Sequence, residues 1–105
     1  MCGISGFFNN NYLIKDPKKL LMDMTNSQFH RGPDKTNYWN NENIYFGHNR
    51  LSILDLSETG NQPMVSQNKR YIIVYNGEIY NHLKLRKKYL SEMTFKGSSD
   101  TETLL

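Results

Sequence analysis

The sequence predicts an α+β domain, and three observations predict it. Helix-start signals stand at Asp16-Pro17, at Asn81, and at Ser99 with Glu102. Strand-forming runs fall elsewhere along the chain, the strongest being Tyr71-Ile72-Ile73-Val74-Tyr75. Asparagine- and glycine-rich turns punctuate them, and no repeat, low-complexity tract or linker divides the 105 residues, which allow one domain at most.

In chain order, Cys2 to Phe8 reads as a strand whose small Gly3, Ser5 and Gly6 leave room for something to lie against it. A turn follows at Asn9-Asn10-Asn11. A helix starts at Asp16-Pro17 and carries Leu20, Leu21, Met24 and Phe29 as its core-facing stripe, up to the break at Gly32-Pro33. Thr36–Trp39 and Ile44–Gly47 form two short strands around an Asn-rich hairpin, and His48 to Ile53 continues the second with Arg50 embedded in it. Asp55 to Ser66 is a loop. The apolar run from Tyr71 to Tyr75 predicts a strand buried on both faces, ending at Asn76-Gly77, a pair that readily adopts positive φ. Asn81 caps a helix to about Leu90, with Tyr80 and Leu85 as a hydrophobic staple. Thr94 to Lys96 is a short strand. The capping box of Ser99 and Glu102 opens a last helix at Asp100 that the sequence scarcely begins, so the chain reads as part of something longer.

Composition excludes several classes. One cysteine rules out an internal disulfide framework and provides no metal-ligand spacing, so no metal is expected. No apolar run reaches the length of a membrane span and no secretory signal is present, which points to a cytoplasmic location and no membrane partner. The net charge of +3 comes largely from Lys15, Lys18 and Lys19 and from Lys84, Arg86, Lys87 and Lys88, which read as solvated helix faces. No nucleic-acid motif accompanies them, and no nucleic-acid partner is expected.

Chemistry concentrates at the start. A lone cysteine is more often a small buried hydrophobe than a nucleophile. Cys2 is different in position: removal of Met1 leaves one residue with both a thiol and a free α-amine, whose pKa of about 7.7–8.0 suits proton transfer near neutrality. Arg50, inside an apolar segment, either holds a carboxylate or phosphate or faces solvent. Asn76-Gly77 by itself is a turn, Glu78 a solvated acid, and Asp100 a helix cap.

Together these residues carry a resemblance. Met1-Cys2-Gly3-Ile4, His30-Arg31-Gly32-Pro33-Asp34, Arg50-Leu51-Ser52-Ile53, Gly60-Asn61-Gln62-Pro63-Met64, Tyr75-Asn76-Gly77-Glu78-Ile79-Tyr80-Asn81 and Ser99-Asp100 occur in order along nearly the whole chain. The chain resembles the glutaminase domain of class II glutamine amidotransferases, which are N-terminal-nucleophile hydrolases, and is most similar to the glutamine-hydrolysing asparagine synthetase type.

The resemblance implies a four-layer αββα sandwich, of which this sequence supplies roughly the first half. An ATP-dependent synthetase domain would follow. ATP and Mg are expected only in that absent domain, and no cofactor in this one. The resemblance implies that Cys2 attacks the side-chain amide of L-glutamine, with Asn76 and the Gly77 backbone N–H as the oxyanion hole. Arg50 then holds the α-carboxylate, Glu78 and Asp100 the α-ammonium, and Leu51, Ser52, Ile53 and Leu54 line the pocket with backbone groups. Arg31, Gly32 and Asp34 form a supporting loop, with Arg31 and Asp34 paired. The ammonia goes to ATP-dependent amidation of aspartate. Two alternatives stand beside this: an inactive fragment, and delivery of ammonia to another acceptor such as a sugar of a surface polysaccharide. Half a sandwich would leave sheet edges open, through which a homo-oligomer could form.

Overall fold

The computed structural model describes residues 1–53 and 55–105. Its first layer is helix α1, Pro17–Ser27. Asp16 caps it by accepting from the Lys19 backbone N–H at 3.1 Å, and Pro17 supplies the fixed φ of a first helical position. The helix ends at Ser27, and Phe29 lies in a following 3-10 turn, half exposed. Of the predicted stripe Leu21 is buried as expected and is joined by Thr25, while Leu20 and Phe29 are exposed.

That face packs on an antiparallel sheet of β1 (Gly3–Phe8), β3 (Ile44–Arg50) and β2 (Lys35–Asn41), in the spatial order β1-β3-β2. Both edge strands pair with the central β3, Gly3 opposite Asn49 on one side and Lys35 opposite Arg50 on the other. Strand β2 begins earlier and ends later than the sequence predicts, while β3 carries Arg50 as expected but ends there, short of Ile53.

Alternation along β3 gives its two faces different work. Gly47 and Asn49 face α1. A Cβ at Gly47 would overlap the Thr25 hydroxyl, and the Asn49 side chain donates to the Thr25 carbonyl. Thr25 Oγ1 also meets Ser5 Oγ at 2.7 Å, so this interface is close and polar. The fully buried apolar residues described are Leu21 and Tyr45, with Phe7 stacked on Tyr45 at 4.8 Å.

On the other face, Ile4, Phe8 and Ile44 are each more than a third exposed, beside the stacked Trp39 and Phe46. His48 and Arg50 share that face and are buried. What covers them comes from the second half of the chain.

There, β4 (Met64–Val65) pairs antiparallel with β5 (Ile72–Ile73). The strand predicted from Tyr71 to Tyr75 is thus only Ile72–Ile73 and half-buried, not buried on both faces. The ladder ends because the Tyr75 N–H is taken by the Gln62 side-chain oxygen, not by a neighbouring strand. Helices α2 (His82–Tyr89) and α3 (Asp100–Leu104) follow. Asn81 precedes α2 without capping it, and Tyr80 is 88% exposed, so the predicted staple does not form. The 94–96 stretch is not a strand. Half of the predicted capping box is present: Ser99 Oγ accepts from the Glu102 N–H at 3.2 Å. The Glu102 carboxylate turns instead to the Lys96 and Gly97 amides. No described helix is long and apolar enough to cross a membrane.

Candidate active site

Four separate segments converge on one cavity of about 240 Å³. The N-terminus brings Met1 and Cys2; the end of β3 and the loop after it bring Arg50, Leu51, Ile53, Asp55, Gly60 and Gln62. Tyr75 to Glu78 form another wall, and Ser99, Asp100 and Thr101 at the start of α3 close the fourth.

Sheet register places the thiol. Gly3 pairs with Asn49, so Cys2, one step further out, meets the chain as it leaves β3. Its Sγ lies 3.4 Å from the Leu51 amide nitrogen and 3.7 Å from the Leu51 carbonyl. Its own carbonyl accepts from Arg31 Nε at 3.2 Å. Cys2 is half-buried and forms no disulfide, and Met1 is 72% exposed.

Arg31 and Asp34 do not pair with each other. Asp34 Oδ2 accepts from the Ser52 N–H at 2.7 Å, while Arg31 holds Cys2. The loop braces two pocket strands instead of itself, because the ends of β1 and β3 lie beside it. Gly32 is required by close approach, since a Cβ there would overlap the Asn49 and Arg50 backbone. Ser52 departs from expectation: its amide is taken by Asp34, and it is not among the residues found lining the cavity. Leu54 lies outside the described residues.

Arg50 is buried, and its guanidinium is fixed on one side. Nη1 donates to the Ser57 carbonyl at 2.6 Å and to Asn61 Oδ1 at 2.9 Å. Gly60 lies flat against Nη2, where a Cβ would overlap it. The held cation thus faces a cavity that also presents Glu78, which is exposed, and Asp100, which is buried. Asp100 Oδ2 accepts from the Ile79 N–H at 2.7 Å, fixing the turn that carries Asn76, Gly77 and Glu78.

Gly77 does not use a positive φ, as no described glycine has one. A Cβ there would overlap the Tyr75 hydroxyl, whose ring folds back over it, so a larger residue would displace that ring. Gln62 ties this wall to α3, its oxygen accepting from the Tyr75 N–H and its nitrogen donating to Thr101 Oγ1 at 3.2 Å.

Two ionisable groups are strongly shifted. Burial pushes His48 down to about 4, and the Arg50 charge adds to the effect. The Tyr75 backbone opposes this by more than Arg50 adds, and neither ring nitrogen has a hydrogen-bond partner among the described residues. Burial would raise Asp55, yet hydrogen bonds from Ser57, Thr59 and Ser98 outweigh it and hold the carboxyl at about 2. Within the described residues, no group of three or more His, Cys, Asp or Glu is placed to hold a metal ion.

The profile of the glutamine amidotransferase domain matches residues 1–105. The chain belongs to that family. Along its full length this glutamine amidotransferase domain is 43% identical to Asparagine synthetase [glutamine-hydrolyzing] 1 of Bacillus subtilis and 36% identical to Asparagine synthetase B [glutamine-hydrolyzing] of Escherichia coli. It is 40% identical to Putative asparagine synthetase [glutamine-hydrolyzing] 2 of Methanocaldococcus jannaschii. It spans 17%, 19% and 23% of those proteins.

Of the residues that sequence reasoning placed in the site of this amidotransferase domain, Cys2, Arg50, Leu51, Ile53, Asn76, Gly77, Glu78 and Asp100 line the one cavity. Asp55, Gln62, Tyr75 and Thr101 line it too without having been given a site role, although Gln62 and Tyr75 stand in the quoted motifs. Asp55-Leu56-Ser57-Glu58-Thr59 does carry a signal for the first: an Asp followed by hydroxyl residues two and four positions on is turn chemistry. Nothing in the sequence links Gln62 to Thr101, 39 positions further on.

Proposed function

We propose that this domain hydrolyses L-glutamine to glutamate and ammonia through a γ-glutamyl thioester on Cys2. One observation carries the reading: the thiol, one held cation, the acids Asp55, Glu78 and Asp100, and an amide-bearing turn surround a single cavity of amino-acid size. Removal of Met1, already exposed, frees the Cys2 α-amine beside the thiol.

The amine takes the thiol proton as sulfur attacks the side-chain amide carbon. The oxyanion is stabilised by the Asn76 side-chain amide and the Gly77 N–H. On collapse the carbon–nitrogen bond breaks, and the α-ammonium returns its proton to the departing ammonia. Water then attacks the thioester, forms glutamate and restores the thiol. Arg50 grips the α-carboxylate through the part of its fork turned away from Ser57. Glu78 and the free oxygen of Asp100 receive the α-ammonium. Leu51 holds the sulfur in line.

The ammonia serves ATP-dependent amidation of aspartate in a region outside this domain, where ATP and Mg belong; the names of the relatives support that acceptor. The αββα sandwich is the fold we assign, supported by the apolar strip open on the sheet face opposite α1. A cytoplasmic location fits this chemistry. Glutamate release from glutamine, compared between the processed protein, a form retaining Met1, and Cys2→Ala, tests the proposal. Only the processed form should turn over; equal rates in all three would end it.

A further inference from the structure

We infer that Asp55 is a positioning residue that sets the separation of Arg50 from Asp100, and with it the preference for an α-amino acid. The inference rests on the glutamine reading above.

The Asp55 carboxylate is buried and its two oxygens receive four donors. Oδ1 accepts from the Ser57 N–H at 2.9 Å and the Ser57 hydroxyl at 2.5 Å. Oδ2 accepts from the Thr59 hydroxyl at 3.0 Å and the Ser98 N–H at 3.1 Å. The Ser57 and Thr59 donors close the turn whose Ser57 carbonyl and Asn61 side chain hold the Arg50 guanidinium. The Ser98 bond, 43 positions along the chain, fixes the residue just before the Ser99 cap that opens α3 at Asp100. One side chain thus bonds both the turn that orients the cation and the loop that delivers the acid.

Both backbones come in close to make this possible. A Cβ at Gly97 would lie 2.7 Å from Asp55 Oδ2, and one at Gly60 would lie 3.2 Å from the Asp55 Cβ. Because its oxygens are filled, Asp55 lines the cavity without offering a vacant acceptor to a ligand, and acts through its neighbours. A carboxylate is required since every partner donates. An amide in its place sets its NH₂ against the Ser98 N–H, while the Thr59 hydroxyl can rotate to accept.

The test is Asp55→Asn in the full-length protein with Met1 removed. We expect the KM for L-glutamine to rise about tenfold or more, with kcat within about threefold of the parent. Hydrolysis of glutaramate, which keeps the carboxylate and the amide but lacks the α-ammonium, should change less than about twofold, because it does not span Arg50 to Asp100. A purely structural lesion would depress kcat for both substrates alike and would overturn the inference. Calorimetric binding of L-glutamine by Cys2→Ala should weaken about tenfold when Asp55→Asn is added. Unchanged KM and affinity overturn the positioning role and leave the glutaminase intact. If the parent neither hydrolyses nor, as Cys2→Ala, binds glutamine, the functional reading and this inference fall together. Should Asp55→Asn lose cooperative unfolding, Ser57→Ala removes the hydroxyl that donates to Asp55 and accepts from the Thr59 N–H, and keeps the carbonyl on Arg50. It must raise KM a few-fold, and an unchanged KM overturns the role.

Discussion

The sulfur of Cys2 lies 3.4 Å from the amide nitrogen of Leu51, the residue that follows Arg50. The pairing of β1 with β3 therefore fixes two functional elements at once, the thiol at one strand end and the guanidinium at the other. A one-residue slip in that register would turn Arg50 to the α1 side of the sheet and separate them. The polar contacts of Ser5 and Asn49 with Thr25 hold the register.

Cys2→Ala should lower glutamine hydrolysis by at least about 10³-fold, since the covalent route is lost. The residue is half-buried and the change removes one sulfur atom with its weak contacts to the Leu51 backbone, so thermal unfolding should move only slightly. Parallel activity and melting measurements check both halves.

Gly60→Ala should act on Arg50 without touching it chemically. The new methyl overlaps Nη2 and must push the guanidinium off the Ser57 carbonyl or the turn off Arg50. A rise of roughly 10-fold in KM, equivalent to about 1.4 kcal/mol, is the expected result in steady-state kinetics with glutamine.

Asn76→Ala should reduce kcat by about 10²–10³-fold with little change in KM, as an oxyanion donor acts mainly in the transition state. Asn76 is exposed, so the variant should unfold at the parental urea concentration. A matched loss in stability would assign the residue a structural part.

Gln62→Leu leaves the Tyr75 N–H and the Thr101 hydroxyl without their partner. Each buried group left unsatisfied costs about 1–3 kcal/mol. Urea denaturation should show that loss, and kcat should fall because the Tyr75–Gly77 wall is no longer tied to α3.

His48 makes stability depend on pH. Its folded value of about 4 lies below the ordinary 6.5, so the unfolded chain binds the proton more readily. The contribution is complete above pH 6.5 and is lost as pH falls through 4, on the order of 3 kcal/mol. Asp55 contributes in the lower window, its share being lost as pH falls from 3.8 toward 2. In denaturation series across pH 4–7, His48→Leu should flatten the acid limb; an unchanged slope would remove His48 from the account.

Local chemistry was legible in the sequence by itself. The cap at Asp16, the Pro17 start, the Ser99 bond to Glu102 and the extended run before Arg50 are decided within a few residues, where backbone groups find their partners. The ordered motifs also brought out Cys2, Arg50, Asn76, Gly77, Glu78 and Asp100. Tertiary structure decided the rest. The Tyr71–Tyr75 run shrank to a two-residue strand because Gln62 took its next donor. Arg31 and Asp34 turned from each other to Cys2 and Ser52, and Asp55 came to join Ser57 to Ser98. The reason is physical: a buried donor or acceptor must be satisfied, but nothing in its own sequence neighbourhood says which distant segment will arrive to satisfy it.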